Sequence, residues 1–284
     1  MEIVFITGVS TGIGYHAMET LCGLGYHIIG SVRKEEDAKS ILARFPDKVT
    51  ILTFDVRDVE KCKSEIGTII PMLEKNGLTC LINNAGVAMP GPIQYLADED
   101  FEAQLDVNVK SVRRITNILL PFLGTDKKYQ AGRIINISSV SGLFNAPFNG
   151  AYCISKHALE SMTDIYRREL AMFGIKVIAI QPGPILTAIW SKNLGTLDKF
   201  KDTEYGSILS KADKMIENAE KSAFEVDDIS QLIVKILRSK DPKTRYLVHR
   251  KKTQFKLLAH YLPDKWVDKL VAKTMASGDN YRPV

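Results

Sequence analysis

Two groups of residues in this chain have types and spacings that could do chemistry. The first is Thr7-Gly8-Val9-Ser10-Thr11-Gly12-Ile13-Gly14, a glycine-rich turn directly after the apolar, β-branched run Ile3-Val4-Phe5-Ile6. Glycines lack Cβ, so the backbone N–H groups of such a turn can approach a pyrophosphate, and the N-terminus of a following helix favours that charge. The spacing is Gly-x-x-x-Gly-x-Gly, not the Gly-x-Gly-x-x-Gly of the common dinucleotide fingerprint, so the turn alone is weak evidence. The second group is Tyr152-x-x-x-Lys156. On a helix four residues make about one turn, which sets both side chains on one face roughly 6 Å apart along the axis. A phenol titrates near about 10, and a nearby ammonium favours its phenolate.

A rival has to be answered, because Gly8-Val9-Ser10-Thr11-Gly12 also fits the Gly-x-Ser-x-Gly nucleophile elbow of α/β-hydrolases. Chain order argues against it. The elbow takes an oxyanion donor from an earlier loop, and only seven residues precede Gly8.

The elements that must position these groups follow from periodicity. Strand-like apolar runs at Ile3–Thr7, His27–Val32, Val49–Phe54, Cys80–Asn83, Arg133–Ile137, Lys176–Gln181 and Arg245–His249 alternate with helix-length segments. The helices expected are Gly12–Leu24, Glu35–Arg44, Val59–Asn76, Asp98–Leu123, Ala151–Phe173 and Asp228–Ser239. Alternation of this kind predicts an α/β fold, a Rossmann-like doubly wound parallel sheet of about seven strands with helices on both faces. The 284 residues, 45% hydrophobic, suit one domain spanning 1–284. The polar, mixed-charge segment 188–224 reads as a substrate lid or a plain surface excursion. The chain opens straight into its first strand with no leader pattern and has no apolar run of about 18 residues, so a cytoplasmic protein is expected. Cys22, Cys62, Cys80 and Cys153 are scattered, and neither they nor the five histidines form a ligand pattern, so no metal is expected.

Asn83-Asn84-Ala85-Gly86 after the fourth strand, Ser139 after the fifth, Tyr152-x-x-x-Lys156 in the next helix and Pro182-Gly183 after the sixth stand in an order that resembles the short-chain dehydrogenase/reductase family. The resemblance runs from Glu2 to about His249. The stretches around Tyr152 to Glu160 and Gln181 to Ile185 look most like its hydroxysteroid and retinol dehydrogenase branch. It implies that Tyr152 is the acid/base, that Ser139 holds the substrate oxygen, that Lys156 assists the tyrosine and that Asn108 completes a proton relay. It also implies a nicotinamide cofactor held by Gly8, Ser10, Thr11, Gly12, Ile13, Gly14, Arg33, Asp55, Val56, Asn84, Ala85, Gly86, Tyr152, Lys156, Pro182, Gly183, Ile185 and Thr187. A homodimer or homotetramer is expected on the same ground.

The family reads its cofactor at the end of the second strand, where an acid would hold the ribose hydroxyls. That position is Val32, followed by Arg33-Lys34, which favours NADP(H) over NAD(H) because guanidinium pairs well with a 2′-phosphate. Residues placed around the site, including Met89, Pro90, Phe144, Phe148, Pro184 and Trp190, are apolar, and with Ser139 and Tyr152 they predict an apolar steroid-, retinoid- or lipid-like substrate. Alternatives are a polar or acyl-carrier carbonyl substrate, or a non-catalytic NADP-sensing protein. The extension 250–284 is basic and amphipathic. Arg250–Met275 carries seven Lys/Arg against Asp264 and Asp268, an excess of five that equals the whole chain's net charge of +5. Peripheral membrane contact through 250–275, a subunit interface or a cover over the substrate entrance all fit. Nucleic acid does not: no binding motif accompanies the charge.

Overall fold

A computed structural model describes residues 1–187, 195–210, 221 and 223–275. Strands β1 (Ile3–Thr7), β2 (His27–Val32), β3 (Val49–Thr53), β4 (Cys80–Asn83), β5 (Arg133–Ile137), β6 (Lys176–Pro182) and β7 (Arg245–Val248) form one parallel sheet in the order β3-β2-β1-β4-β5-β6-β7. Both faces are covered. Successive side chains of a strand point to opposite faces. Val4, Ile6, Ile82, Ile135 and Ile178 therefore enter one core with Met18 and Leu21 of α1 (Gly12–Gly23), beside α2 (Glu35–Arg44). Ile3, Phe5, Leu81, Ile134 and Val177 enter the other with Ile66 and Leu73 of α3 (Val59–Asn76). Being buried on both faces is why these strands read as unbroken apolar runs.

Strand order reverses between β1 and β4, and an open α/β sheet leaves its ligand crevice at the carboxyl ends of such a switch point. Thr7 ties the two strand ends together. Its Oγ1 accepts the N–H groups of Asn84 and Ala85, both at 2.9 Å, while Thr7 itself is 3% exposed. The Asn84 Nδ2 donates back to the carbonyls of Thr7 and Gly8, also at 2.9 Å.

Several expected helices end differently, each for a local reason. Asp98–Leu123 is not one helix but α4 (Asp98–Leu105), a π-helical turn at Asp106–Lys110, α5 (Ser111–Leu119) and a 3-10 turn at Pro121–Leu123. The wide turn swings Asn108 inward to the loop after β4, and a single wide turn leaves the apolar periodicity almost unchanged. Helix α6 (Gly150–Glu169) tightens into a 3-10 turn at Leu170–Phe173 ahead of Gly174, whose φ of +75° stops it. Helix α7 (Val226–Arg238) starts two residues early because Glu225 and Asp228 make a reciprocal capping box.

Helices α8 (Lys252–His260) and α9 (Asp264–Met275) follow β7, and the Phe255 ring of α8 packs 6.1 Å from Phe144 and 5.0 Å from His249. Among the described residues no helix is long and apolar enough to cross a membrane. Of the segment expected as a lid, 195–210 lies against the site side of the sheet. Phe200 fills the space where a side chain on Gly91 would stand, and the Tyr205 ring sits 5.7 Å from Phe148 and 6.1 Å from Tyr95.

The Thr7 tie has a measurable consequence. Thr7→Val keeps the shape but leaves two N–H groups without their acceptor, at about 2–4 kcal/mol. Urea unfolding should show that loss.

Candidate active site

The glycine turn has the conformation that its composition requires. Gly8 and Gly12 have φ of +73° and +61°, which only glycine adopts without strain. The N–H groups of Gly8 and Val9 both donate to the Ser31 carbonyl, at 3.1 and 3.0 Å. At Gly14 the constraint is space: a Cβ there would lie 2.2 Å from the Gly8 carbonyl oxygen and 2.4 Å from Asn84 Nδ2. Thr11 makes no capping bond to α1, and the first turn holds no acidic side chain, so the positive end of the helix is left for an outside anion. Thr187 lies over this turn, its Cγ2 3.4 Å from where a Gly12 Cβ would stand. Ser10, Thr11 and Ile13 complete the cradle on the chain between the glycines, which fits a phosphate-bearing cofactor.

At the far end of the crevice Val32 is 3% exposed and packs in the core, so no acid occupies the end of β2. Arg33, next in the chain, is exposed. Asp55 is held by Arg57 through a 2.8 Å Nη2–Oδ2 bond and a 2.9 Å bond from the Arg57 N–H. Those bonds chiefly, with Arg33 adding to the field, keep its carboxyl below its ordinary range. Arg57 was not among the expected residues; its position two after an acid at a strand end was the available signal. Val56 is buried in the core, so its side chain does not reach the crevice.

Three of the four residues expected at the reacting centre do meet there. Ser139 caps the short turn at Val140–Gly142, accepting the Ser141 N–H at 3.1 Å, and its hydroxyl stands close to that of Tyr152. Burial pushes the Tyr152 phenol up to about 12, and the nearby Ser139 hydroxyl pulls the other way. Lys156, 4% exposed, lies one turn on, with Nζ 5.6 Å from the Tyr152 ring centre. Its ammonium donates to the Ile137 carbonyl at 2.9 Å. Burial lowers it to about 8, and the carboxylate of Glu160 acts against the shift. Spacing alone suggested that the lysine would draw the phenol down. In this structure desolvation outweighs that, and Ser139, not Lys156, is the group that opposes it.

Asn108 is 1% exposed and both ends of its amide are taken. Oδ1 accepts the Val87 N–H, and Nδ2 donates to the Val87 carbonyl and to Ser155 Oγ, all at 2.9 Å. A proton relay through this side chain would require one of those bonds to open. Gly86 stands between: a Cβ there would lie 3.3 Å from Asn108 Oδ1 and 3.7 Å from Lys156 Nζ. Sequence reading also missed what steadies α6 from behind. Arg245 of β7 donates to Glu160 at 2.9 Å and pairs with Asp164 at 2.8 Å, so β7 grips the helix one and two turns past Lys156.

The walls are apolar where they are described. Phe144 and Phe148 are half-buried on the loop between Ser139 and Tyr152, and Phe148 has φ +61°, a strained value for a non-glycine residue, held by the 2.7 Å bond of its carbonyl with the Gly91 N–H. Gly183, after Pro182, has no room for a Cβ, which would meet His249 at 2.7 Å. The side chain of Ile185 is 5% exposed and belongs to the core, while its backbone pairs with Phe224. Trp190, expected to line the substrate site, lies outside the described residues.

A family model described as short chain dehydrogenase matches residues 2–197. The chain is 39% identical over 277 residues to the NADPH-dependent 3-dehydrocapnine reductase of Ornithobacterium rhinotracheale, covering 97% of this chain and 98% of that protein. It is 30% identical over 285 residues to retinol dehydrogenase 16 of Mus musculus, covering 95% and 87%. A solved short-chain dehydrogenase from Streptomyces avermitilis superposes with a TM-score of 0.75 at 22% identity, covering 89% of this chain and 90% of that one, which supports the fold.

Two outcomes follow from this geometry. Gly14→Ala drives a Cβ into backbone that cannot yield, so nucleotide binding, measured by calorimetry, should fall by at least about tenfold while the sheet stays folded. Lys156→Met removes a desolvated charge whose hydrogen bond goes to a carbonyl and which the Glu160 carboxylate offsets only in part. Folded Lys156 binds its proton less tightly than the unfolded chain does, so the charge destabilises fully below about pH 8 and the penalty fades as pH rises toward the ordinary lysine value of 10.5. The variant should gain on the order of 2 kcal/mol at pH 7, net of the lost hydrogen bond, with a smaller gain at pH 10.

Proposed function

The chain belongs to the short-chain dehydrogenase family and is an NAD(P)-dependent oxidoreductase, and on that premise we propose that it interconverts an apolar ketone or aldehyde and its alcohol with preference for NADP(H). The observation that carries the reading is the Ser139 hydroxyl close to that of Tyr152, with Lys156 one turn on, at the same sheet edge as the glycine cradle. The cofactor supplies the hydride. Each remaining task falls to a named side chain. Ser139 holds the carbonyl oxygen. Tyr152, protonated through the neutral range, gives its proton to that oxygen as negative charge develops there. The Lys156 ammonium, charged below about pH 8, stabilises the phenolate left behind. Asn108 keeps α6 and the loop after β4 in register. Gly8, Gly12 and Gly14 with Ser10, Thr11, Ile13 and Thr187 would hold the phosphates, and Asn84, Ala85, Gly86, Pro182, Gly183 and Ile185 border the nicotinamide end.

Preference for NADP(H) is supported by the missing acid at Val32, the exposed Arg33 beside Asp55, and the cofactor in the name of the 39% identical relative. The apolar substrate is supported by Phe144, Phe148 and the aromatic contacts that Tyr205 and Phe255 make with them. The polar-carbonyl alternative keeps one support: a relative from Xenorhabdus hominickii, 32% identical over 280 residues, is named 3-amino-tetrahydro-pyrrolizinone reductase. Homo-oligomer formation through the outer face of α6 fits its exposed Ile154 and Ile165.

Turnover of steroid, retinoid, long-chain and small polar carbonyls, followed by nicotinamide absorbance, tests the reading. Tyr152→Phe should still bind NADPH yet lose at least about a thousandfold in kcat. Unchanged output in that variant would support the sensor instead. Arg33→Ala should raise the KM for NADPH by about tenfold or more and leave that for NADH within about twofold. For the wild type, kcat/KM for reduction should be level near neutral pH and fall above about 8 as Lys156 loses its charge.

A further inference from the structure

We infer that α8 and α9 form a docking face for an anionic lipid bilayer, seated beside the mouth of the substrate site. Thirteen large hydrophobic residues are exposed among the described ones, and four of them, Leu257, Tyr261, Trp266 and Leu270, fall within fourteen consecutive positions. The two helices sort their residues by face. In α9, Val267, Val271 and Met275 are half-buried and Ala272 is buried, so that side turns to the protein. Trp266 and Leu270, 62% and 51% exposed and one turn apart, point outward. Lys269 and Lys273 stand three positions beyond each and share that face, and both are exposed. Asp264 and Asp268 each lie about 160° around the axis from Trp266. The outward face is therefore apolar and cationic, with the acids turned away.

Helix α8 does the same. Phe255 faces inward to Phe144 and His249, whereas Leu257 and Tyr261, one turn apart, are 51% and 76% exposed. Lys251, Lys252 and Lys256 are exposed around them. Apolar residues with an aromatic ring near the polar boundary, ringed by lysines, are what an interfacial helix needs: the rings enter the headgroup region while the ammonium groups meet anionic lipid. A second copy of the chain suits this face poorly. A two-fold interface would set the local excess of five positive charges against an identical excess. The contact of Phe255 with Phe144 places the docking face next to the loop between Ser139 and Tyr152. A lipid-borne substrate would thus arrive on the side where the site opens; only this last point rests on the oxidoreductase reading.

The test is flotation with phosphatidylcholine vesicles, with and without phosphatidylglycerol, together with the emission of Trp266. The chain has two tryptophans, so the emission is read in a Trp190→Phe background. The protein should float with phosphatidylglycerol vesicles at low salt and be released at high salt, and its emission should shift to the blue. Changing Lys265, Lys269 and Lys273 to Gln together should weaken partitioning by about a hundredfold, at about fivefold per lysine, with turnover of a water-soluble ketone unchanged. Trp266→Ser with Leu270→Ser should weaken flotation at low salt with all the lysines still in place. The inference fails if the protein stays in the bulk phase, if it floats equally with phosphatidylcholine alone, or if sedimentation shows a dimer that shields Trp266. Flotation and emission read no turnover, so failure of the docking face and failure of the oxidoreductase reading are separate results.

Discussion

The site depends on one side-chain amide. Asn84 Nδ2 bonds the carbonyls of Thr7 and Gly8, and it fits there because Gly14 has no side chain. That contact brings the end of β1, the phosphate turn and the loop after β4 within hydrogen-bond distance at the point where the strand order reverses. The same loop continues to Val87, whose N–H and carbonyl are both held by Asn108; Asn108 bonds Ser155, and Ser155 bonds the Tyr152 carbonyl at 2.7 Å. The glycine cradle and the helix that carries Tyr152 are thus one connected polar framework, buried for most of its length. Such a framework holds its members to a narrow geometry, which hydride transfer requires of a cofactor and a proton donor.

At Lys156 the proposed function and stability oppose each other. A buried ammonium with a carbonyl as its hydrogen-bond partner is costly, and the structure offsets part of that with the carboxylate of Glu160, itself held by Arg245 from β7. On the proposed function, the cost is tolerated because the charge is useful when negative charge appears on Tyr152. The high pKa of the phenol belongs to the same arrangement: burial keeps the proton on the tyrosine until something takes it.

The sheet and the glycine turn were readable because a parallel strand buried on both faces is an unbroken apolar run, and because a phosphate turn restricts its residue types. Six of the helix and strand spans, among them β2, β4 and α3, match the expected limits residue for residue. Features that arise only from tertiary contact were not readable. The π-turn at Asp106–Lys110 follows from capture of Asn108 by Val87, and its sequence still has a helical period. Thr7 looks like any strand residue until Asn84 arrives. The grip of Arg245 on α6 joins residues 85 apart in the chain. The hydrogen-bond partners of Asn108 and Lys156 were the hardest to foresee, since spacing places side chains on a face but does not show which carbonyl or N–H they will meet.

The central claim is that this chain moves a hydride to an apolar carbonyl and that Tyr152 supplies the proton. The most direct measurement is label transfer: NADPH carrying deuterium at the reactive C4 position is incubated with a steroid or long-chain ketone, and the alcohol is analysed by mass spectrometry. The account predicts one deuterium on the new carbinol carbon with the wild type and essentially none with Tyr152→Phe, although both bind the cofactor. Bound NADPH with no labelled alcohol from any ketone, or equal labelling by Tyr152→Phe, would contradict it.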